Sequence, residues 1–234
     1  MVQSVFEMGY IITIEGGEFV GKTSVAIPAI KSFFENAGFN TIICREPGGT
    51  PKGELIRKEI FSKLEKGVGP LQLARLFNKG RKINIDEIIK PHVGINKENN
   101  SVVILDRYLD STRVYQGLEG GIPMEDIHTL EKKFVGSFFP DLTLLLYFPE
   151  KVFIKTLEKR MANEQGSRDL TGWDKGSVQK HLDRQRLYLS LPAIAHRLGE
   201  KRHFTLIDAS GSQAQVAQEC INACTSFIKT RFDN

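Results

Sequence analysis

The sequence predicts an α/β fold in which a central parallel sheet of five strands is covered by helices on both faces. Three observations support this prediction. The chain has 234 residues, of which 41% are hydrophobic, and this suits one large α/β domain spanning 1–234. Short apolar runs alternate with longer segments of helical periodicity. The first apolar run ends at a glycine-rich turn that opens directly into a helical segment, as in nucleotide-binding β-α units.

Five short apolar runs read as strands because each is bounded by Gly, Pro or polar residues. Consecutive parallel strands need helical crossovers, and right-handed crossovers place helices on both faces of the sheet. The predicted strands are Tyr10–Ile14, Thr41–Cys44, Ser101–Leu105, Leu142–Tyr147 and Phe204–Ile207.

The segments between these runs carry apolar residues at helical spacing, with stop signals such as Gly38 behind them. The polar, glycine-containing stretch Ala162–Gly176 is predicted to be a mobile connection. The predicted helices are Gly21–Asn36, Gly53–Glu65, Leu71–Val93, Met124–Val135, Glu150–Met161, Ser177–Leu198 and Gln213–Lys229.

Composition narrows the function classes. The formal net charge is +4, too small an excess to argue for nucleic acid, but compatible with a cleft that attracts phosphorylated anions. The longest apolar run, Leu142–Phe148, is too short to cross a bilayer, and Met1–Gly9 lacks the features of a signal peptide. Three sparse cysteines argue against a disulfide framework and make a poor zinc site. We therefore expect a cytoplasmic protein with small-molecule partners, no nucleic acid and no membrane.

The turn after the first strand has the P-loop pattern of Gly, four residues, Gly, Lys and Ser/Thr. Its backbone N–H groups and the following helix N-terminus would face phosphate oxygens. Lys22 would reach the β- and γ-phosphates, and the Thr23 hydroxyl would bind Mg²⁺. The pattern predicts binding of a nucleoside triphosphate with magnesium. The residues of this turn are Gly16, Gly17, Glu18, Phe19, Val20, Gly21, Lys22 and Thr23.

Parallel sheets bind ligands at the carboxyl ends of their strands, so the loops after the first three strands should carry the chemistry. Asp106 and Arg107 directly follow the third strand. An aspartate there suits a magnesium contact through water or a base, and the arginine suits a phosphate clamp. A P-loop alone does not separate GTPases, ATPases and kinases.

Three blocks of the sequence, in order and spacing, resemble the thymidylate kinase family. Weaker similarity extends to Leu206–Ser210. The resemblance implies a P-loop nucleoside monophosphate kinase-like three-layer fold with a short lid, ATP and Mg²⁺ as donor and cofactor, dTMP as acceptor, and a homodimer. The blocks are Ile14–Thr23, Arg45–Arg57 and Asp106–Gly117.

The resemblance also implies residue roles. Glu18 would face the 3′-hydroxyl of dTMP, and Tyr115 would pack on the sugar and disfavour a ribose 2′-hydroxyl. Arg57 would hold the dTMP phosphate. Phe77 and Arg81, four residues apart on one helix face, would stack on thymine and hydrogen-bond to it. The remaining implied acceptor residues are Glu46, Pro47, Arg107, Thr112 and Gln116, the catalytic residues are Lys22, Asp106, Arg107 and Arg168, and the metal residues are Thr23 and Asp106.

The expected lid lies at about 160–176. Some family members carry a catalytic arginine directly after the P-loop carboxylate, where this chain has Phe19. The other branch, common in bacteria, places basic residues in the lid, and Arg160 and Arg168 fit that plan; Arg160 would alternatively stack on adenine.

The chain departs from the family pattern at three places, and these bear on the lid more than on the dTMP site. Asn84 stands where a histidine is usual, and the apolar run around Leu146 replaces an acid. The lid reads Arg168–Thr171 where the family more often has Asp-Arg followed by an acid.

Two alternatives stay open at this point. One is a kinase for another nucleoside or nucleoside monophosphate. The other is a regulatory P-loop NTPase, which the block Arg107–Gln116 disfavours because a switch has no use for a base-reading glutamine and a sugar-packing tyrosine.

Overall fold

Five strands in the part of the chain that the computed structural model describes, residues 8–164 and 176–232, form one parallel sheet. Their spatial order is β2-β3-β1-β4-β5, so the strand that leads into the P-loop lies at the centre. The predicted α/β fold class, with a five-stranded parallel sheet, is confirmed. The strands are β1 (Tyr10–Gly16), β2 (Asn40–Arg45), β3 (Ser101–Asp106), β4 (Leu142–Tyr147) and β5 (His203–Asp208).

Helices connect and cover the strands. Three of them are extended by wider π-helical turns, over Lys22–Ala26, Ile85–Ile89 and Arg113–Leu118. The helices are α1 (Ile27–Asn36), α2 (Pro51–Glu65), α3 (Pro70–Asn84), α4 (Lys90–Val93), α5 (Leu109–Thr112), α6 (Met124–Val135), α7 (Glu150–Glu164), α8 (Val178–Leu189), α9 (Leu191–Arg197) and α10 (Gln213–Phe232).

The three central strands β1, β3 and β4 are buried on both faces, which explains why they are apolar without alternation. In β3, Val102 and Ile104 join the core that includes residues of α1 and α10. Their neighbours Val103 and Leu105 face the other side and pack with residues of the π-helical turn Ile85–Ile89. Successive side chains of a strand point to opposite faces, so one short run serves both layers.

Two predicted element boundaries were wrong. The helix predicted over Ser177–Leu198 is divided into α8 and α9 at Ser190. Pro192, in the first turn of α9, has no N–H to continue the hydrogen bonds of α8, and the restart accommodates it. The segment after β3 was predicted as a loop, but it turns into α5 almost at once.

The carboxyl ends of β1 and β3 lie side by side, since Ile14 pairs with Asp106. Gly16, where the P-loop begins, pairs with Leu146 in β4. The topology thus brings the P-loop and the Asp106–Arg107 segment to one edge of the sheet. None of the helices in the described ranges combines the length and apolar character needed to cross a membrane.

Candidate active site

The P-loop backbone is shaped by residues with positive φ. Gly16 has φ +130°, and a Cβ there would overlap the carbonyl oxygen of Leu146 in β4. Gly21, with φ +88°, is the last residue before the π-helical turn. Phe19 also has φ +65°, a conformation that costs a non-glycine residue of order 1 kcal/mol. These positions turn the chain so that the P-loop ends at a helix N-terminus, where anions bind.

Lys22 is buried and folds over the loop that carries it. Its Nζ donates to the carbonyl oxygens of Gly16, at 3.1 Å, and Gly17. Burial, with a contribution from Arg107, lowers the pKa of Lys22 to about 8, although Asp106 and Glu18 oppose the shift. An anionic phosphate beside this amine would favour its charged form.

Thr23 and Asp106 supply neighbouring oxygen atoms. The Thr23 hydroxyl donates to Oδ2 of Asp106 at 2.5 Å. A hydroxyl and a carboxylate are oxygen donors of the kind that Mg²⁺ takes. The donor chemistry of these two predicted metal residues therefore fits the cation, with Asp106 acting directly or through water.

Arg107 joins the P-loop to α5 and α8. It has φ +67°. Its guanidinium donates to the Gly16 carbonyl and to Ser111 Oγ, each at 3.1 Å, and to the Tyr188 hydroxyl at 2.7 Å. It also donates to Oε1 of Glu18 at 3.1 Å. The arginine is thereby held over the first residues of the P-loop.

Glu18 is a buried acid surrounded by donors and cations. Besides Arg107, its carboxylate accepts from the Tyr115 hydroxyl and from Nη1 of Arg184 at 3.3 Å, and Nδ1 of His181 lies at 3.5 Å. Burial alone would raise its pKa, but the His181 interaction and the cations outweigh burial and hold the pKa of Glu18 well below its usual range. The carboxylate therefore stays anionic at neutral pH.

Arg81 is buried among the predicted acceptor residues. Its Nε donates to Glu46 at 2.9 Å and its Nη1 to Asn78 at 3.0 Å. Its Nη2 donates to the Tyr108 carbonyl at 2.9 Å and to Thr112 Oγ1 at 3.1 Å. A guanidinium has five N–H donors, so four are used and one on Nη1 has no partner among the described residues.

The loop after β2 is held between α2 and α3. The Glu46–Pro47 peptide bond is cis. Arg57 donates to the Pro47 carbonyl at 2.8 Å and lies 4.8 Å from the centre of the Phe61 ring. Asn84, at the position of the missing family histidine, donates weakly to Glu46 at 3.4 Å. Asn84 therefore supports the acid that Arg81 binds.

The side chains predicted to contact the base and the sugar lie on α3 and on the π-helical turn Arg113–Leu118, two elements that pack together. Phe77 is half-buried beside Ile56 and Leu73. Tyr115 is half-buried, with its hydroxyl on Glu18. Gln116 is only 3% exposed, yet its amide makes no hydrogen bond within the described part of the chain. Such an amide has its donors and acceptor available for a ligand.

The structure describes one of the two predicted lid arginines. Arg160, near the end of α7, donates to the Ala209 carbonyl after β5 at 3.3 Å. A Cβ placed on Gly21 would lie 3.9 Å from Nη1 of Arg160, so this arginine stands next to the P-loop. Arg168, the other predicted lid arginine, lies outside the described residues, as does most of the segment 160–176.

Sequence reasoning missed a group of site residues. Glu15, at the end of β1, is fully buried and accepts from the Tyr108 N–H at 2.7 Å. His181, Arg184 and Tyr188 of α8 all reach the Glu18–Arg107 pair. Their spacing of three and four residues was a usable signal for one helix face. Nothing in the pattern distinguished that polar face from a solvent-exposed one.

A second cluster of His and acidic side chains lies away from the P-loop. His128, Glu131 and Glu200 bring potential metal-ligand atoms within 4.8 Å of one another. Arg113 binds both glutamates from within this cluster. Its guanidinium supplies the positive charge that the acids need, so the group is an ionic cluster of the interior.

Comparisons with known proteins identify the family of the chain. The family model described as thymidylate kinase matches residues 14–220. The thymidylate kinase of Bartonella quintana (strain Toulouse) is 32% identical over 220 residues, covering 94% of this chain and 97% of the relative. That of Bartonella henselae (strain Houston 1) is 31% identical over 217 residues, covering 92% and 95%. The chain belongs to the thymidylate kinase family.

Proposed function

We propose that this protein transfers the γ-phosphoryl group of MgATP to the 5′-phosphate of dTMP, giving dTDP and ADP. The family membership supports the reaction. The observation in the site that supports it best is the hydrogen-bonded group of Glu18, Arg107 and Tyr115. It places a carboxylate, a guanidinium and an aromatic ring directly beside the P-loop, where a deoxyribose 5′-phosphate acceptor would meet the donor.

The reaction needs no covalent enzyme intermediate, because an acceptor phosphate oxygen is already a nucleophile at neutral pH. It attacks the γ-phosphorus, and the bond to the β-phosphate oxygen breaks. The protein aligns the two nucleotides and neutralises charge. Lys22 and Arg107 carry the positive charge nearest the P-loop, and Arg57 binds the acceptor phosphate. Bound Mg²⁺, held by Thr23 and Asp106, would neutralise the triphosphate oxygens.

In this proposal, the acceptor is selected mainly by side chains of α3, of α5 and of the π-helical turn that follows α5. The Gln116 amide and the Arg81 N–H that has no partner among the described residues would bind the edge of thymine. Phe77 would stack on the base, with Thr112, Glu46 and Pro47 supporting it. The lid at about 160–176, with Arg168 as a catalytic cation and Arg160 at the nucleotide, remains part of this proposal.

A coupled ADP-release assay with dTMP, dUMP, dCMP and dGMP side by side tests the function. We expect dTMP to give the highest kcat/KM and expect little ADP without an acceptor. Equal turnover of the four monophosphates would overturn the choice of dTMP. Slow ADP release that no monophosphate accelerates would instead indicate a regulatory NTPase.

We further propose a cytoplasmic homodimer. The family resemblance supports it. Sedimentation should give twice the chain mass of 26.3 kDa. A species of single-chain mass at micromolar concentration would contradict the dimer.

A further inference from the structure

One face of α8 is polar and buried. His181, Arg184, Gln185 and Tyr188 recur at spacings of three and four residues, and each is 4% exposed or less. Polar side chains seldom occupy such a buried stripe unless they have specific partners. Three of the four reach the Glu18–Arg107 pair, whereas Gln185 bonds to the backbone of Phe148.

Arg184 is the best anchored of these side chains. Its Nε and Nη2 donate to the two carboxylate oxygens of Glu119, at 2.9 and 3.1 Å. Its Nη1 reaches Glu18 at 3.3 Å. The guanidinium also lies 4.6 Å from the centre of the Tyr115 ring, within cation–π range. A planar guanidinium that is bound on three sides is held in one orientation.

This arrangement fixes the carboxylate of Glu18. Oε1 accepts from Arg107 and Tyr115, while Oε2 accepts from Arg184. Nδ1 of His181 stands 3.5 Å from Oε2, close enough to lower the pKa of Glu18 but too far to complete a good hydrogen bond. A carboxylate offers about four acceptor positions, so Oε2 retains capacity for one more donor.

We propose that Arg184 is a positioning residue for the acceptor sugar. It orients Glu18 and Tyr115 together, so that the 3′-hydroxyl of the deoxyribose donates to a carboxylate that is already aligned and charged. The proposal rests on the proposed function, because it assumes a deoxynucleoside monophosphate acceptor. It assigns recognition of the 3′-hydroxyl in part to the helix that follows the lid, and not to the P-loop alone.

The test compares dTMP with its 3′-deoxy analogue on the wild-type chain and on Arg184→Met. A hydrogen bond from a hydroxyl to a charged group should give the wild-type protein at least a tenfold preference in kcat/KM for dTMP. The methionine side chain can still pack where the aliphatic part of Arg184 lies, but Glu18 loses one of its hydrogen-bond donors. We expect the preference to fall to about threefold or less, mainly through a higher KM for dTMP.

Arg186→Met is the matched control. Arg186 lies two residues further along α8, is exposed, and pairs with Glu150 at 2.7 Å. It should keep the wild-type preference. Arg184→Lys retains the charge but not the fork, and Glu119→Gln weakens the other side of Arg184, so both should give intermediate preferences. If circular dichroism shows that Arg184→Met does not fold, the same comparison is made with these two variants instead.

The outcomes separate two failures. If the wild-type chain turns over dTMP and Arg184→Met slows both substrates by the same factor, Arg184 has a structural role and the inference is wrong. A wild-type chain with no preference for the 3′-hydroxyl overturns it equally. If the wild-type chain does not phosphorylate dTMP at all, the proposed function itself fails.

Discussion

At the scale of single residues, the charge state of Lys22 depends on the groups beside its amine. Its amine is buried against two P-loop carbonyls, and burial lowers its pKa to about 8. The cation is therefore only moderately favoured in the unliganded protein. The negative charge of a triphosphate would restore the preference for the cation, so Lys22 responds to the donor more than to the acceptor.

Lys22→Ala should lower kcat by about a hundredfold to a thousandfold, because a charge contact made in the transition state is removed. The dissociation constant for dTMP should stay within about threefold, since the acceptor lies on the far side of the reacting phosphate. Steady-state kinetics and calorimetry measure the two effects. Lys31→Ala, a partly exposed lysine of α1 paired with Glu35, is the control. Parallel losses of turnover and dTMP affinity would contradict this layout.

Gln116→Ala should relax base choice more than it slows the best substrate. The buried amide has no hydrogen-bond partner among the described residues, so its loss leaves no protein group unpaired. A lost base contact should cost about 1 kcal/mol, or roughly a fivefold change in the dTMP-to-dCMP ratio of kcat/KM. Gln72→Ala, on the exposed start of α3, should leave the ratio unchanged. An unaltered ratio for Gln116→Ala would show that this amide does not read the base.

The residue patterns predicted some of these groups and not others for physical reasons. Lys22 and Thr23 follow from a local motif, because a phosphate-binding turn needs them at fixed spacing. Arg184 belongs to no local motif, and its partners Glu18 and Glu119 are distant in sequence. Only the packing of α8 on the P-loop makes it a site residue. Phe19, at the position where some family members carry an arginine, has a buried ring that packs beside His181.

At the scale of elements, the start of α2 positions the acceptor-side loop. Thr50 is the N-cap, and its hydroxyl accepts from the Gly53 N–H at 3.0 Å. Gly53 has no room for a side chain, since a Cβ would overlap the Gly48 carbonyl. The cap and this close approach hold residues 47–50 against the helix that carries Arg57.

Thr50→Ala should lower the free energy of unfolding by about 1 kcal/mol, because the first turn of α2 loses its side-chain acceptor. Thr50→Ser keeps the hydroxyl and should stay within about 0.5 kcal/mol of the wild-type value. Urea unfolding at fixed pH measures both. The KM for dTMP should rise in the alanine variant, as the Pro47 carbonyl and Arg57 lose their shared anchor. Equal stability of the alanine and serine variants would argue against the cap.

Element boundaries were harder to predict than element types. The central strands are apolar on both faces, and a single sequence is enough to show this pattern. The break at Ser190 depends on Pro192, which lies well inside an otherwise continuous helical pattern, and helices often continue through such a signal with a kink. The residues around the start of the short helix α5 serve the candidate site. The composition of this segment therefore resembled that of a loop.

At the scale of the whole molecule, alternation of strands and helices predicts a parallel sheet but not the order of its strands. The order β2-β3-β1-β4-β5 depends on which crossovers skip a neighbour, and no local pattern encodes that choice. The order decides which loops meet. It sets Asp106 beside Thr23 and brings Glu15, at the carboxyl end of the central strand, under Arg107 and Tyr108.

Glu15 makes the stability of the whole fold depend on pH. Burial, with repulsion from Asp110, raises the pKa of this carboxyl from 4.5 to about 7, although Arg107 and Ser111 oppose the shift. The folded state therefore binds a proton more tightly than the unfolded chain. Glu15 should cost stability progressively as pH rises from about 4.5 to 7, and the cost should be complete above that range.

Glu15→Gln removes this titration and keeps an oxygen that accepts from the Tyr108 N–H. Relative to the wild-type chain, the variant should gain up to about 3 kcal/mol of unfolding free energy between pH 4.5 and pH 8. Glu18 titrates in the opposite sense, but both proteins contain it, so its contribution cancels in the difference. Urea unfolding across this range measures the gain. Glu59→Gln, an exposed acid of α2, should run parallel to the wild-type curve, and a parallel curve for Glu15→Gln would show that the carboxyl is ionised in the fold without penalty.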